Sequence, residues 1–148
     1  MKEGRVKMKT EETLILIKPD GVADGHIGEI ITRIERKGFE IAALKVTYAT
    51  DRLLRVHYAS KADKEYFKDI CSYMKEGPIV ALIAKGVNVI AAFHRMAGAT
   101  SPISALPGTI RADFGREYAD GNLRNVVHSS DEVQSAEKEI KIWFPELI

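Results

Sequence analysis

The chain has 148 residues, 45% of them hydrophobic and 29% charged, the make-up of one ordinary globular domain rather than a disordered or fibrous chain. Lys and Arg number 22 against 21 acids, a net charge of +1, which excludes a global field for gripping a nucleic-acid backbone and leaves phosphate recognition to a few placed cations. No apolar run reaches the about 20 residues of a membrane span, the basic segment Met1–Thr10 lacks the apolar stretch of a signal peptide, and the lone Cys71 cannot close an internal disulfide, so the expected location is cytoplasmic.

Thr13–Ile17 is short, apolar and partly β-branched, and reads as a buried strand. Lys18-Pro19-Asp20-Gly21 ends it, with a missing ladder donor and turn chemistry. From His26 to Lys37 the residues Ile27, Ile30, Ile31 and Ile34 fall at helical spacing, and Gly38 suits the stop. Phe39–Tyr48 is rich in β-formers. A short helix is predicted over Asp51–Tyr58 with Thr50 as N-cap, and a longer one over 64–75 with Phe67, Ile70, Cys71 and Met74 on one side. Gly77-Pro78 precedes a third strand, Ile79–Ala84. Val87–Ala97 reads as helix ending at Gly98. Residues 99–124 hold two prolines and three glycines without a clear period and read mostly as loop. Val126–His128 is a short strand, and Asp131–Phe144 a closing helix with Val133, Ala136, Ile140 and Phe144 on one face.

That order, β-α-β-α-α-β-α-β-α, with no glycine-rich phosphate loop after the first strand, predicts an α+β fold. The expected form is a ferredoxin-like split β-α-β arrangement, a four-stranded antiparallel sheet with helices packed on it. Residues 1–12 are expected to be an N-terminal extension and residues 13–148 a single domain.

Neither a P-loop nor a dinucleotide-binding motif is present. His26, His57, His94 and His128 show no metal-ligand spacing with each other or with Cys71, so no structural zinc site is expected. The most informative segment is Asn125-Val126-Val127-His128-Ser129-Ser130-Asp131, which sets a histidine between a strand and a helix start. Either Asp131, with Gln134 beyond it, or Ser129, with Glu132, can cap that helix. A helix start favours an anion and disfavours imidazolium. A neutral imidazole there could attack phosphorus and hold a phosphoryl group; the competing reading is a histidine that merely fills a strand end. Pro107-Gly108-Thr109-Ile110-Arg111 delivers a guanidinium in a sparsely charged loop, either solvated or able to clamp a phosphate by two bonds. Lys18 closes an apolar run and either reaches solvent or points into a cleft. Gly25-His26-Ile27-Gly28 is a G-x-x-G, but without flanking Lys or Arg a loop-to-helix junction is the better reading than an RNA clamp.

Together these segments resemble the nucleoside diphosphate kinase family over nearly the whole chain. The pieces are I-K-P-D-G-V at Ile17–Val22, G-x-I-G-E-I-I at Gly25–Ile31, K-G-F at Lys37–Phe39, H-Y at His57–Tyr58 and G-P-I-V-A at Gly77–Ala81. G-A-T-S-P at Gly98–Pro102, P-G-T-I-R at Pro107–Arg111, D-F at Asp113–Phe114, N-V-V-H-S-S-D at Asn125–Asp131 and S-A-E-K-E-I at Ser135–Ile140 follow in family order. The resemblance implies a ping-pong transfer of the γ-phosphate from a nucleoside triphosphate to a nucleoside diphosphate through phosphorylated His128. It implies that Arg111 and Thr100 hold phosphates, that Lys18 and Asn125 reach the sugar and phosphate side, and that Tyr58 lies near the histidine. It further implies that Glu139 orients the histidine ring, that Ser130 belongs to the same pocket, and that the base stacks between Tyr66 and Ile70. Stacking alone gives broad base specificity, since every base has a π-face. Mg²⁺ is expected to arrive with the nucleotide rather than on a protein site. A homo-oligomer is implied, a hexamer in preference to a tetramer, with no membrane and no specific nucleic acid as partner.

The chain departs from the family pattern in places. His94 stands where an arginine usually precedes the Thr of G-x-T by six residues, with Arg95 next to it. One helical position turns a side chain by about 100°, so Arg95 is no simple substitute. A weakened but working phosphate site is expected, short of one charged hydrogen bond worth about 1–3 kcal/mol. Tyr66 stands where Phe is usual, Ser129 where Gly or Ala is usual, and the loop Gly115–Arg124 is longer than usual, placed to cover the site or a subunit contact.

Overall fold

The computed structural model describes residues 6–148; the first five residues of the expected N-terminal extension lie outside it. Four strands, β1 (Thr10–Ile17), β2 (Glu40–Thr47), β3 (Ile79–Val87) and β4 (Val127–Ser129), form one sheet in the order β2-β3-β1-β4, with every pairing antiparallel. The helices are α1 (Pro19–Ala23), α2 (Ile27–Arg36), α3 (Asp51–His57), α4 (Phe67–Met74), α5 (Val89–Ala97), α6 (Ile110–Phe114) and α7 (Val133–Trp143). The ferredoxin-like α+β architecture expected from the sequence is the one observed.

The unbroken apolar run of β1 follows from burial on both faces of the sheet. Ile15 and Ile17 point into a core with Val80, Leu82, Ile30, Ile34, Ile90 and Phe93, on the side of α2 and α5. Leu14 and Leu16 point the other way, into a core with Ala81, Ile83, Leu54, Met74 and Trp143, on the side of α3, α4 and α7. The period of two assigns alternate residues to opposite cores. β2, at the sheet edge, alternates half-buried and exposed residues instead and carries an irregularity between Ile41 and Ala43.

Several boundaries differ from the sequence reading. β1 begins at Thr10 and β3 runs to Val87, because Thr10–Glu12 pair with Val87–Lys85 even though these residues are polar or exposed. Lys18–Gly21 is not a turn: Pro19 sits at the first position of α1, where its missing N–H costs nothing. Residues 99–124 contain α6 and a 3₁₀ turn at Pro102–Ser104. Thr109 caps α6 by accepting from the Ala112 N–H at 3.2 Å, and Thr50 caps α3 as expected by accepting from the Leu53 N–H at 3.1 Å. Val133 is exposed rather than on the inner face of α7; it is the first residue of the helix, before Ala136 reaches the core.

Candidate active site

His128 is the middle residue of β4, paired with Leu16 of β1, and its ring is half-buried between elements that arrive from distant parts of the chain. Its Nε2 lies 2.8 Å from Glu139 Oε1 in α7. Glu139 also accepts from the Ser130 hydroxyl at 2.7 Å, and the Leu14 N–H donates to that hydroxyl at 3.2 Å. Burial alone would raise the Glu139 pKa, but the hydrogen bonds from His128 and Ser130 and the histidine charge outweigh it and hold the carboxyl below its ordinary value. An ionised Glu139 therefore accepts an Nε2–H, which fixes the tautomer and leaves Nδ1 as the ring nitrogen with a free lone pair.

This arrangement replaces the helix-start argument. Neither Asp131 nor Ser129 caps α7, whose first residue is Val133 and whose N-cap position, Glu132, makes no side-chain cap bond. What meets the ring from that helix is a carboxylate in its second turn. Ser130 is fully buried and stands behind Glu139 rather than on the cavity wall.

A cavity of about 420 Å³ opens in front of His128, lined by Lys18, Tyr58, Lys61, His94, Thr100, Arg111, Asn125, Lys138 and Glu139 among others. A second, of about 390 Å³, adjoins it through Lys18, Tyr58, Lys61, Thr100 and Asn125 and continues to Tyr66, Ile70 and Tyr73, with Gly121, Asn122 and Leu123 on its other wall. The first is polar and cationic; the second is more apolar and has the aromatic and aliphatic side chains of a stacking slot. The long loop thus covers the second cavity. Arg124 anchors it, donating to Glu76 Oε2 at 2.6 Å and to Asp120 Oδ2 at 2.9 Å while lying over the Tyr118 ring.

Lys18 is buried at the start of α1, and its Nζ donates to Asn125 Oδ1 at 2.7 Å. Burial first, then the nearby Arg111, lower its pKa to about 7, with Asp20 acting in the opposite direction. Arg111 is buried too, and burial pulls its pKa down. Three of its N–H groups go to the carbonyls of Asn125, Gly98 and Val127, at 3.1, 2.9 and 2.8 Å. The guanidinium has five N–H donors, so two stay available to an anion. Burial and the Glu139 charge push the Tyr58 phenol up, so it stays protonated.

His94 lines the cavity in front of His128, with Nδ1 at 3.3 Å from Ser129 Oγ and 3.9 Å from Asp131, whereas the neighbouring Arg95 is exposed and off the cavity wall. All ten sequence-predicted site residues are brought together; nine line the cavities and Ser130 supports from behind. Sequence reasoning missed His57. It stacks edge-on against His128 at 4.6 Å between centroids, and its Nδ1 accepts from the Trp143 N–H at 3.0 Å. Burial, then the charges of His128 and Lys18, lower its pKa to about 2, so it stays neutral.

Spacing along the chain had suggested no histidine cluster, yet His57, His128 and Glu139 converge, with one ligand atom of each within 4.8 Å of the others. Their hydrogen bonds do not fit a metal. Nδ1 of His57 is occupied by the Trp143 N–H, so the neutral ring carries its proton on Nε2, and Glu139 is already bonded to Ser130 and His128. The cavity acids are that occupied Glu139 and the exposed Asp131, set among Lys and Arg side chains. Such a donor set suits a divalent ion carried in by phosphate oxygens, not one resident on protein carboxylates.

Comparison with known proteins finds relatives along nearly the whole chain. The sequence profile of the family described as Nucleoside diphosphate kinase matches residues 11–147. A nucleoside diphosphate kinase of Rhodococcus erythropolis is 50% identical over 139 residues, 93% of this chain and 97% of the relative. One from Drosophila melanogaster is 47% identical over 136 residues, 92% of this chain and 86% of the relative. The Aquifex aeolicus nucleoside diphosphate kinase structure superposes with a TM-score of 0.86 at 32% identity, covering 94% of this chain and 98% of that one. A family protein from Babesia bovis gives 0.84 at 39% identity, covering 92% and 90%. With a profile spanning almost its whole length and relatives at half identity, the chain belongs to the nucleoside diphosphate kinase family.

Proposed function

We propose that the protein transfers the γ-phosphate of a nucleoside triphosphate to a nucleoside diphosphate in two half-reactions through His128. The observation that carries this reading is the 2.8 Å bond from His128 Nε2 to an ionised Glu139 on the floor of a cavity lined by Lys18 and Arg111. Nδ1 attacks the γ-phosphorus as the bond to the β–γ bridging oxygen breaks. The diphosphate leaves with that oxygen, and the growing positive charge on the ring is balanced through Nε2–H by Glu139. A second diphosphate then attacks the phosphoryl group along the reverse path. Such transfer depends on in-line placement and charge neutralisation. Lys18 and the two free N–H groups of Arg111 supply the charge, with Thr100 at the same wall. Asn125 holds Lys18, Tyr58 lies near the histidine on the same cavity wall, and the base lies between Tyr66 and Ile70.

Mg²⁺ is proposed to enter on the phosphates, where it supplies further neutralisation of oxygen charge. The unit that does this is the single domain, 13–148 by sequence pattern, with Thr10–Glu12 added by strand pairing. A homo-oligomer, hexamer before tetramer, is consistent with the exposed Leu44, Val46 and Tyr48 at the free edge of the sheet. A cytoplasmic location agrees with there being no helix among the described residues long and apolar enough to cross a membrane.

The test is a two-step transfer. Protein incubated with Mg²⁺ and γ-labelled ATP is isolated and then given GDP, with His128→Asn in parallel. Acid-labile label on Nδ1 that moves to GDP, and is missing in the variant, is the expected result. Label on the variant, or none on the wild type, would reject the reading.

A further inference from the structure

Next to the site lies a strained piece of backbone that the transfer chemistry does not require. Val126 has φ of 73°, and the Val127 N–H donates to the Asn125 carbonyl at 2.7 Å. A bond from residue i to i+2 around a positive φ is the rare, strained form of γ-turn. In a β-branched residue such a φ is a true outlier, and it persists only where the surroundings over-determine it.

The surroundings can be named. The Val126 N–H donates to Asp20 Oδ2 at 3.1 Å, and the Val126 carbonyl accepts from the Lys18 N–H at 2.7 Å. One residue earlier, the Asn125 N–H donates to the Tyr73 hydroxyl at 3.1 Å, and that hydroxyl donates to Asp20 Oδ1 at 2.7 Å. A single carboxylate therefore holds two consecutive N–H groups of the turn, that of Val126 directly and that of Asn125 through a phenol. Asp20 and Tyr73 are both buried. Burial and the Asp20 charge raise the Tyr73 pKa, so the phenol remains a donor. What the turn achieves is the aim of one side chain: Asn125 Oδ1 accepts from Lys18 Nζ at 2.7 Å, while Asn125 Nδ2 donates to the Thr100 carbonyl at 3.1 Å.

We propose that Asp20 and Tyr73 are positioning residues of the phosphoryl transfer, holding the turn at Val126 so that Asn125 fixes Lys18 in the nucleotide cavity. The assignment rests on the reading of Lys18 and Asn125 as nucleotide-site residues. It gives the Asp20 of the K-P-D-G segment a task apart from turn making: α1 brings its carboxylate beneath the turn. Neither residue donates a proton to substrate or touches the reacting atoms in this scheme.

Tyr73→Phe is the cleanest probe, because it keeps the ring on the cavity wall and removes one oxygen. The full-length chain is assayed for ATP-to-GDP transfer as wild type, Tyr73→Phe, Asn125→Ala, the double variant and Lys18→Met, with thermal melts of each. Tyr73→Phe is expected to lower kcat/KM about tenfold, and to add less than about twofold once Asn125 is Ala, as coupled neighbours do. A loss that multiplies in full in the double variant would overturn the proposal, since Tyr73 would then act other than through Asn125. A folded Tyr73→Phe with unchanged kcat/KM would overturn it as well. Full activity in both Asn125→Ala and Lys18→Met would instead reject the site reading beneath it. Should Tyr73→Phe melt out, Asp20→Asn in the same cycle gives the same decision, because Val126 and Tyr73 donate to different carboxylate oxygens and the amide replaces one of them with an NH2 that cannot accept.

Discussion

Lys18 shows at the scale of one residue how a site is kept at the expense of stability. Its ammonium is buried beside Arg111, and its pKa falls to about 7. Between that value and the ordinary lysine range the unfolded chain binds the extra proton, so stability rises with pH across this window and the full cost stands below pH 7. Lys18→Met is therefore expected to stabilise the fold near and below neutral pH, by on the order of 1 kcal/mol after loss of the Asn125 bond, while abolishing most transfer. Melts and transfer rates on the same preparation check both halves. In the wild type, kcat/KM should fall as pH rises through about 7 as free Lys18 loses its charge. His57 works in the opposite pH range: with a folded pKa of about 2 it stays neutral, so the fold weakens as pH drops below the ordinary histidine value.

Elements are placed by small residues at close approaches as much as by apolar faces. Gly21 in α1 illustrates this, since a Cβ there would meet Ile17 Cγ2 and Val126 Cγ1 at 3.0 Å and the Val126 carbonyl at 3.2 Å. Space, not torsion, demands the glycine. Gly21→Ala should push α1 from the turn at Val126 and destabilise by about 1–3 kcal/mol, read as a lower melting temperature together with slower transfer. The sequence marked this glycine only as turn chemistry, because Val126, whose side chain and carbonyl close over it, lies about a hundred positions away in the chain. Likewise the apparent caps of α7 were misleading: the Ser129 hydroxyl lies within reach of His94, a tertiary partner, and of the neighbouring Ser130 carbonyl instead of the helix start.

At the scale of the whole molecule the site is a meeting of β1, β4, α1, α3, α4, α5, α6, α7 and the loop 115–124, so distant contacts can tune it. Arg124 ties that loop to Glu76 and is itself nearly enclosed. Arg124→Met should free the loop wall at Gly121–Leu123, raising the nucleotide KM several-fold with a smaller change in kcat, as loss of uniform binding does; steady-state kinetics at varied GDP check this. The sequence by itself determined the antiparallel α+β order, the buried strand, the helical faces and the motif residues, because periodicity and local turn chemistry are written in neighbouring positions. It could not determine which ring nitrogen of His128 the bond to Glu139 engages, the neutral His57 behind it, the Asp20–Tyr73 hold on Val126, or that His94 and not Arg95 faces the cavity. Each of these depends on which side chains the packed elements bring within about 3–5 Å, and only the closing of the sheet and its two cores decides that.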